Sequence, residues 1–244
     1  MTEFIKFEER LIGDGYAYTI GVSAVDLTGT GSPDLVSTDT GVGLYWYEND
    51  GKGNFTKHVV HERANEWLER HAIADINGDG KPEIVTIDNI DGSVLWFEFD
   101  GDPRDAASWS QHYICHEGLP GAYDVAVADY DGDGRIDLAI GQNNGQTVLL
   151  HNRRGHRGIR VRLRGGAANP HGIGATVRVV YADGLGPARE LRLGSGYWSV
   201  DDPVAVLGLR AEPEGIEVRW PDGVVQRVDV TNDQLGITVV RANR

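Results

Sequence analysis

The segment Asp129-Tyr130-Asp131-Gly132-Asp133-Gly134-Arg135-Ile136-Asp137 decides the fold predicted for this chain. It interleaves acidic residues with glycine and lies between two apolar runs, and two earlier segments align with it without gaps. We call segments 26–34, 75–83 and 129–137 loops 1, 2 and 3; their first residues lie 49 and 54 residues apart. Repeats with a period of about 40–50 residues are typical of β-propeller blades.

The remainder of each repeat predicts short β-strands. An apolar run follows each loop, then comes a turn rich in Asn, Asp and Gly, and then an aromatic or apolar run. The first two repeats close with a further strand at residues 55–60 and 109–114, which residues 4–12 resemble. The sequence therefore predicts an all-β fold in which residues 1–155 form three four-stranded propeller-type blades. Because propellers close with roughly four to eight blades, we expect an open arc covered by the rest of the chain, or a homo-oligomer that completes the ring.

Oxygen atoms recur at positions 1, 3, 5 and 9 of the loops, and glycines at positions 4 and 6 allow the tight turn that brings them together. The two stronger sets of metal ligands are Asp75, Asn77, Asp79 and Glu83 with the backbone carbonyl of Lys81, and Asp129, Asp131, Asp133 and Asp137 with that of Arg135. A weaker set is Asp26, Thr28, Thr30 and Asp34. Oxygen ligands without His or Cys favour Ca²⁺ or Mg²⁺. The alternative is an Asx-turn hairpin without an ion, which we favour for loop 1.

Loops 2 and 3 resemble the Asp-x-Asp/Asn-Gly-Asp-Gly-x-x-Asp signature of the FG-GAP/VCBS repeat family. The resemblance covers about residues 1–152 and implies an integrin-like β-propeller with calcium sites. Members of the family include adhesion propellers, sugar-binding lectins and some enzymes, so the resemblance implies no single activity.

The C-terminal residues 156–244 lack the repeat loop and predict a small antiparallel β-sandwich-like domain. Apolar and polar residues alternate at 159–164, 176–180 and 216–220, and Pro221-Asp222-Gly223 predicts a hairpin turn. A basic stripe lies either on a solvated strand face or against the acidic propeller part; its members are Arg160, Arg162, Arg164 and Arg178. Residues 172–179, 194–199, 202–203 and 217–223 resemble the ASPIC/UnbV domain, which implies a companion of calcium-loop propellers.

Charge is distributed unevenly, since residues 1–156 hold 27 acids and 11 bases and residues 157–244 hold 10 acids and 12 bases, for a net charge of −14. The acidic part would repel nucleic-acid phosphates, and no run of 18 apolar residues predicts a membrane-spanning helix. The single cysteine, Cys115, excludes an intramolecular disulfide, and residues 1–9 lack the pattern of a signal peptide. We therefore expect a cytoplasmic protein, or a secreted one if the chain has been trimmed.

The connectors between blades carry the candidate catalytic residues, which are His61, Glu62, His71, His116 and Glu117. His61-Glu62 and His116-Glu117 occupy matching positions in two repeats. Pairs of histidine and carboxylate suit acid/base chemistry or ligand binding. The first hypothesis is a calcium-binding module that binds a small-molecule or carbohydrate ligand, or a protein partner, on this connector rim. The alternative is a calcium-dependent enzyme of small-molecule metabolism, such as a cyclase or lyase.

Overall fold

The computed structural model describes residues 7–62, 66–193, 202–231 and 233–242. Within these ranges the chain is all-β, with nineteen strands in five sheets and a single 3₁₀ turn at Ala106–Ser108. No helix among these residues is long and apolar enough to cross a bilayer. The sheets make a five-blade arrangement of the β-propeller type, where the sequence predicts three blades. The assignment of the last two sheets to a separate sandwich-like domain stays a prediction.

The first two repeats each form the predicted antiparallel meander of four strands in chain order. The strands are β1 (Thr19–Val25), β2 (Asp34–Asp39), β3 (Gly43–Asn49) and β4 (Phe55–Glu62), followed by β5 (Leu68–Ala74), β6 (Glu83–Asp88), β7 (Ser93–Phe99) and β8 (Trp109–Cys115). Loops 1 and 2 connect the first and second strands of their sheets. Both loops consequently lie at the same end of the blades, opposite the connectors that follow β4 and β8.

The third repeat forms three strands, so the prediction of a fourth strand is wrong for this blade within the described residues. The strands are β9 (Ala122–Ala128), β10 (Asp137–Gln142) and β11 (Val148–Leu150). The chain leaves the sheet after β11 because its backbone bonds elsewhere: the amide of His156 donates to the carbonyl of Asn77 in loop 2 at 2.7 Å. Residues 7–12, predicted as part of an outer strand, form no strand, and residues 1–6 lie outside the described residues.

Two apolar cores hold the first three sheets side by side. Trp46 and Leu44 of β3 are buried with Phe97 of β7 between the first and second sheets. Val85 of β6 is buried with Ile140 of β10 between the second and third sheets. Because all five side chains are at most 1% exposed, burial of apolar surface fixes the neighbouring blades against one another.

The last two sheets share a third core. One sheet has the order β16 (Val204–Leu207), β12 (Ile159–Arg164) and β19 (Gly236–Val240), and the other is built from β14 (Gly184–Leu185), β13 (Thr176–Tyr181), β17 (Gly215–Arg219), β18 (Val225–Asp229) and β15 (Arg189–Glu190). The predicted hairpin at 221–223 joins β17 to β18. The prediction of purely antiparallel strands is wrong, because β12 and β19 pair in parallel. A parallel pair needs a long crossover, which the intervening sheet supplies.

The C-terminal sheets lie against the loop-bearing end of the first three sheets. The Arg178 Nη2 atom donates to the carbonyl of Gly29 in loop 1 at 3.0 Å. The amide of Gly158 donates to the carbonyl of Gly134 in loop 3 at 2.7 Å. Arg192 also donates to the carbonyl of Ala24 at 2.7 Å. We call the opposite end of these sheets the connector rim. It carries the β2–β3 and β6–β7 turns and the connectors after β4 and β8.

Candidate functional site

Loop 2 brings three carboxylates together. One ligand atom each from Asp75, Asp79 and Glu83 lies within 4.8 Å of the other two. Asp75 accepts hydrogen bonds from the amides of Gly78 and Gly80 at 2.8 and 2.9 Å. Glu83, only 1% exposed, accepts one from the amide of Ile76 at 2.7 Å. The backbone thus holds the carboxylates in place, and their oxygen atoms lie close enough together to fit a hard divalent cation.

Two carboxyl groups of loop 2 have raised pKa values. Burial raises the pKa of Asp75 to about 6, against the opposing charge of Arg189. Burial, followed by the charges of Asp75 and Asp79, raises the pKa of Glu83 to about 9. Carboxylates held close together in a buried place repel one another, which favours the protonated form of one of them. The residues of loop 2 therefore fit Ca²⁺ or Mg²⁺, whose charge would replace those protons.

Loop 3 presents the same chemistry with more carboxylates. Asp129, Asp131 and Asp133 place ligand atoms within 4.8 Å of one another. Asp137 is buried and accepts hydrogen bonds from the amides of Tyr130 (3.0 Å) and Asn152 (2.8 Å). The loop turns at Gly132 and Gly134 with φ of 81° and 87°, a conformation that glycine adopts without a steric cost.

The remaining predicted ligands of loops 2 and 3 are Asn77 and the backbone carbonyls of Lys81 and Arg135. Asn77 accepts a hydrogen bond from the amide of Asp79 at 2.8 Å. The side chains of Lys81 and Arg135 point to other partners, since Lys81 donates to the carbonyl of Phe99 at 3.4 Å and Arg135 pairs with Asp133 at 2.6 Å. Coordination by the carbonyls of Lys81 and Arg135 stays a prediction.

Loop 1 is organised by hydrogen bonds. Asp26 Oδ2 accepts from the amides of Gly31 (2.9 Å) and Ala188 (3.1 Å), so this carboxylate ties the loop to the C-terminal half. Asp34 accepts from the amide of Leu27 at 3.0 Å. The hydroxyls of Thr28 and Thr30, which occupy positions where the other loops have Asp or Asn, lie 3.2 Å apart. This arrangement has the features of an Asx-turn hairpin.

The connector rim holds two separate histidine–carboxylate groups. His61 Nε2 lies 3.5 Å from Glu66 Oε2 rather than beside Glu62, which is exposed. His116 Nδ1 lies 3.9 Å from Glu117 Oε1, and Asp91 joins this pair with its ligand atom within 4.8 Å. His61 and His116, which occupy equivalent positions in the first and second repeats, therefore have different neighbouring carboxylates.

His71 belongs to the interior and not to the rim. It is 6% exposed on the inner strand β5, and its Nδ1 lies 3.3 Å from Thr38 Oγ1. Burial lowers its pKa to about 4, so the imidazole is neutral at pH 7. A neutral histidine packed against Thr38 is suited to a structural role.

A cavity of about 920 Å³ lies between the inner strands β1, β5 and β9 and the C-terminal sheets. Its lining includes His71 but none of His61, Glu62, His116 and Glu117. Guanidinium groups of the C-terminal half face acids of the propeller part there, and Arg160 Nη1 lies 3.6 Å from Asp129 Oδ2. The cavity therefore does not join the predicted catalytic residues.

Two known protein families match this chain. The FG-GAP-like repeat family matches residues 26–86 and 75–140, and the ASPIC and UnbV family matches residues 165–242. The chain belongs to the FG-GAP repeat proteins that carry an ASPIC and UnbV domain. The matched FG-GAP segments contain loops 1 to 3, and the ASPIC and UnbV segment contains most of the last two sheets.

Curated relatives match part of this FG-GAP and ASPIC/UnbV chain. Cartilage acidic protein 1 of Mus musculus is 36% identical over 118 residues, which cover 45% of this chain and 18% of the mouse protein. The Homo sapiens protein of that name is 36% identical over 118 residues, which cover 45% of this chain and 17% of the human protein. The Xenopus tropicalis protein is 35% identical over 109 residues, which cover 41% of this chain and 16% of that protein. The matched region thus spans less than a fifth of each relative.

Three residues that contact or influence loops 2 and 3 of this FG-GAP protein were not predicted. Glu98 Oε2 accepts a hydrogen bond from Asn77 Nδ2 at 3.1 Å, and His151 Nδ1 lies 3.4 Å from Asp131 Oδ2. Glu98 and His151 occupy the same register position in the second and third sheets, so an alignment of whole repeats could have found them. Arg189, whose charge acts on Asp75, left no signal, because the contact joins distant parts of the chain.

Proposed function

We propose that the chain is a calcium-stabilised propeller-type module that binds a protein partner or a carbohydrate ligand through its connector rim. The observation that carries the proposal is the convergence of carboxylates in loops 2 and 3, each within 4.8 Å. FG-GAP propellers are in general protein-interaction modules. Cation binding to the folded state alone would stabilise that state by mass action.

The rim has the surface chemistry of a binding site. Tyr18, Trp67, Ile90 and Tyr113 are 66, 37, 64 and 46% exposed, and all four lie in or beside rim segments. Burial and then the charge of Glu66 raise the pKa of Tyr113, which reflects the acidic surroundings. Exposed aromatic side chains among carboxylates suit a partner that carries basic groups.

The geometry favours the binding module over the enzyme alternative. A shared proton transfer needs groups within hydrogen-bond reach of one substrate. His71 is buried beside Thr38, His61 pairs with Glu66, and His116 lies beside Glu117 and Asp91. The three histidines therefore occupy three separate surroundings. Completion of the ring by a homo-oligomer remains a proposal, which the mass of the chain in solution tests.

Calorimetric titration of the EDTA-treated chain with calcium tests the proposal that the chain binds calcium and is stabilised by it. We expect calcium binding and a higher melting temperature, and we expect the double change Asp131→Ala and Asp133→Ala to remove most of the stabilisation that loop 3 supplies. The exposed pair Glu212→Ala and Asp229→Ala, distant from the loops in sequence, is the matched control. An identical melting curve in EDTA and in calcium would contradict the proposal.

The proposed binding at the connector rim is tested with a lysine-rich peptide and a neutral oligosaccharide, each applied to the immobilised chain. We expect Tyr113→Ala and Trp67→Ala to weaken binding of the recognised probe by about tenfold, since aromatic anchors dominate interfaces. Val240→Ala, at a 60% exposed site in the C-terminal sheets, should leave binding unchanged. Binding that is insensitive to both rim changes would place the interaction elsewhere.

A further inference from the structure

The cavity of about 920 Å³ between the two halves of the chain takes no part in the function proposed above. Strands β1, β5 and β9 line one side of it, and β12, β16 and β19 contribute to the other. Its volume lies within the range of about 300–1,000 Å³ that is usual for small-molecule sites. Small side chains line the wall formed by β5 and β9, among them Ala72, Ala74 and Ala126. The cavity therefore has room for a ligand of about the size of a monosaccharide.

Two buried polar atoms on the propeller side of the cavity lack a hydrogen-bond partner within the described residues. They belong to Asp26 and His71, which line the cavity and are 3 and 6% exposed. Asp26 accepts from Gly31 and Ala188 through Oδ2, and its Oδ1 has no partner. His71 contacts Thr38 through Nδ1, and its Nε2 has no partner. Because a buried polar atom without a hydrogen bond is costly, a ligand that pairs with these atoms would recover that cost.

Two arginines of the C-terminal half bring unused donors to the cavity. Arg160 lines it and makes no side-chain hydrogen bond in the part of the chain that the structure describes; its ion pair with Asp129 is 3.6 Å long, beyond an ordinary hydrogen bond. Arg192 also lines it and donates from Nη2 to the carbonyl of Ala24 at 2.7 Å. A guanidinium has five N–H donors and binds carboxylates in a two-pronged geometry. Both arginines thus have donors available for an acidic group.

The other charges around the cavity restrict the class of ligand. Arg162 is already paired with Asp202 at 2.9 Å, and acids of loops 1 and 2, including Asp26, act on the charge of Arg189. Because Arg189 offsets the charge of Asp26, the free Oδ1 atom needs only a neutral donor such as a hydroxyl group. Asp26 and Asp129 line the cavity together with the arginines, so a ligand with several negative charges would be repelled. One carboxylate combined with several hydroxyl groups fits these surroundings.

We propose that the cavity binds a polyhydroxylated carboxylate of about monosaccharide size. Its carboxylate group pairs with Arg160, supported by the charge of Arg192, and its hydroxyl groups bond to Asp26 and His71. The imidazole can donate or accept at Nε2 according to its tautomer, so it accommodates either role of a hydroxyl. The site lies between the two halves of the chain and not on the connector rim. The inference therefore stands or falls separately from the proposed function.

Calorimetric titration of the full-length chain with glucuronate, glucose and glucosamine, at constant calcium concentration, tests the inference. The three probes share a hydroxylated ring and differ in charge. We expect glucuronate to bind about tenfold more tightly than glucose, and glucosamine to bind no more tightly than glucose. Arg160→Gln should weaken glucuronate binding about tenfold and leave glucose binding nearly unchanged. Arg164→Gln is the matched control, because Arg164 is an exposed arginine of the same strand and does not line the cavity.

Two further variants probe the cavity from the propeller side. Ala126→Leu fills it without removing a polar group, and because Ala126 is exposed, the variant should keep the melting temperature of the wild type while glucuronate affinity falls tenfold or more. Asp26→Asn retains an oxygen for the amides of Gly31 and Ala188 and should weaken glucuronate and glucose alike, by about threefold. Tyr113→Ala, on the connector rim, should leave glucuronate affinity unchanged.

Failure of all three probes to bind at millimolar concentration would overturn the inference, as would tighter binding of glucosamine than of glucuronate. Glucuronate binding that is lost in Tyr113→Ala but unaffected by Arg160→Gln and Ala126→Leu would assign the ligand to the connector rim and overturn this inference alone. Glucuronate binding that depends on Arg160, in a chain that shows neither calcium binding nor rim binding, would support this inference and overturn the proposed function.

Discussion

Gly208 lies directly against the carboxylate of Asp75, the first residue of loop 2. A β-carbon at position 208 would overlap Oδ2 and Cγ of Asp75. Gly208 follows β16 of the C-terminal half, whereas Asp75 opens the loop between β5 and β6. The two halves of the chain can therefore meet at this point only while position 208 has no side chain.

We expect Gly208→Ala to destabilise the folded chain by about 1–3 kcal/mol, because overpacking forces the backbone or Asp75 to move. Urea unfolding measures the change. Gly166→Ala is the control, since no heavy atom lies within 4 Å of a β-carbon built there. Equal unfolding midpoints for the two variants would show that the contact between Gly208 and loop 2 carries little energy.

Calcium binding to the metal-free chain at pH 7 should release protons. The pKa of Glu83 is raised to about 9 by burial and by its acidic neighbours, so this group holds a proton before the cation arrives. Calorimetry in two buffers of different ionisation enthalpy measures the release. Glu83→Gln should reduce it, whereas Glu212→Gln at an exposed site should not. Equal heats in both buffers would contradict the prediction.

His71 should make the chain less stable in acid. Its folded pKa is lowered to about 4 by burial, against 6.5 for an ordinary histidine. Below pH 6.5 the unfolded chain binds the proton first, so stability is lost as the pH falls toward 4. The full loss is about 3 kcal/mol at 1.36 kcal/mol per pKa unit.

Urea unfolding at pH 7 and at pH 4.5 compares the wild type with His71→Gln. The variant should lose less stability on acidification, because Gln does not titrate. His116→Gln, at an exposed histidine, should retain the slope of the wild type. A His71→Gln slope identical to that of the wild type would indicate that the imidazole is protonated inside the fold.

Loops 1 and 3 should respond differently to loss of a carboxylate. Asp26→Ala removes the hydrogen bonds to Gly31 and Ala188 and should destabilise the chain by about 1–3 kcal/mol whether or not calcium is present. Asp131→Ala should lower the melting temperature only in calcium. Thermal melting of both variants in calcium and in EDTA makes the comparison. A calcium-dependent loss for Asp26→Ala would instead indicate a cation in loop 1.

Much of the propeller part was predictable from local sequence. Apolar runs and Gly-rich turns located β1 to β11 closely, and the Asp/Gly loops identified the FG-GAP repeats. Local sequence wrongly predicted a fourth strand in the third repeat and an outer strand that includes residues 7–12. A strand forms only where a neighbouring strand pairs with it, and the chain after β11 bonds instead to loop 2.

The candidate site was also predictable only in part from local sequence. The carboxylates of loops 2 and 3 were found because position and residue type decide their chemistry. The burial of Glu83, the partner of His61 and the interior position of His71 depend on packing between sheets. The sequence placed His61, His71 and His116 together on one rim, whereas the fold gives each a separate environment.

By itself, the sequence determined the strand period, the tight Asp/Gly turns and the clustering of carboxylates, because these follow from backbone conformation and residue type over about ten neighbouring positions. Only the tertiary structure decided that the C-terminal sheets cover the loop-bearing end, that Asp26 bonds to Ala188, and that His151 stands beside Asp131 and Asp137. Such contacts join residues far apart in the chain, and their position depends on strand register and on the packing of buried side chains between sheets.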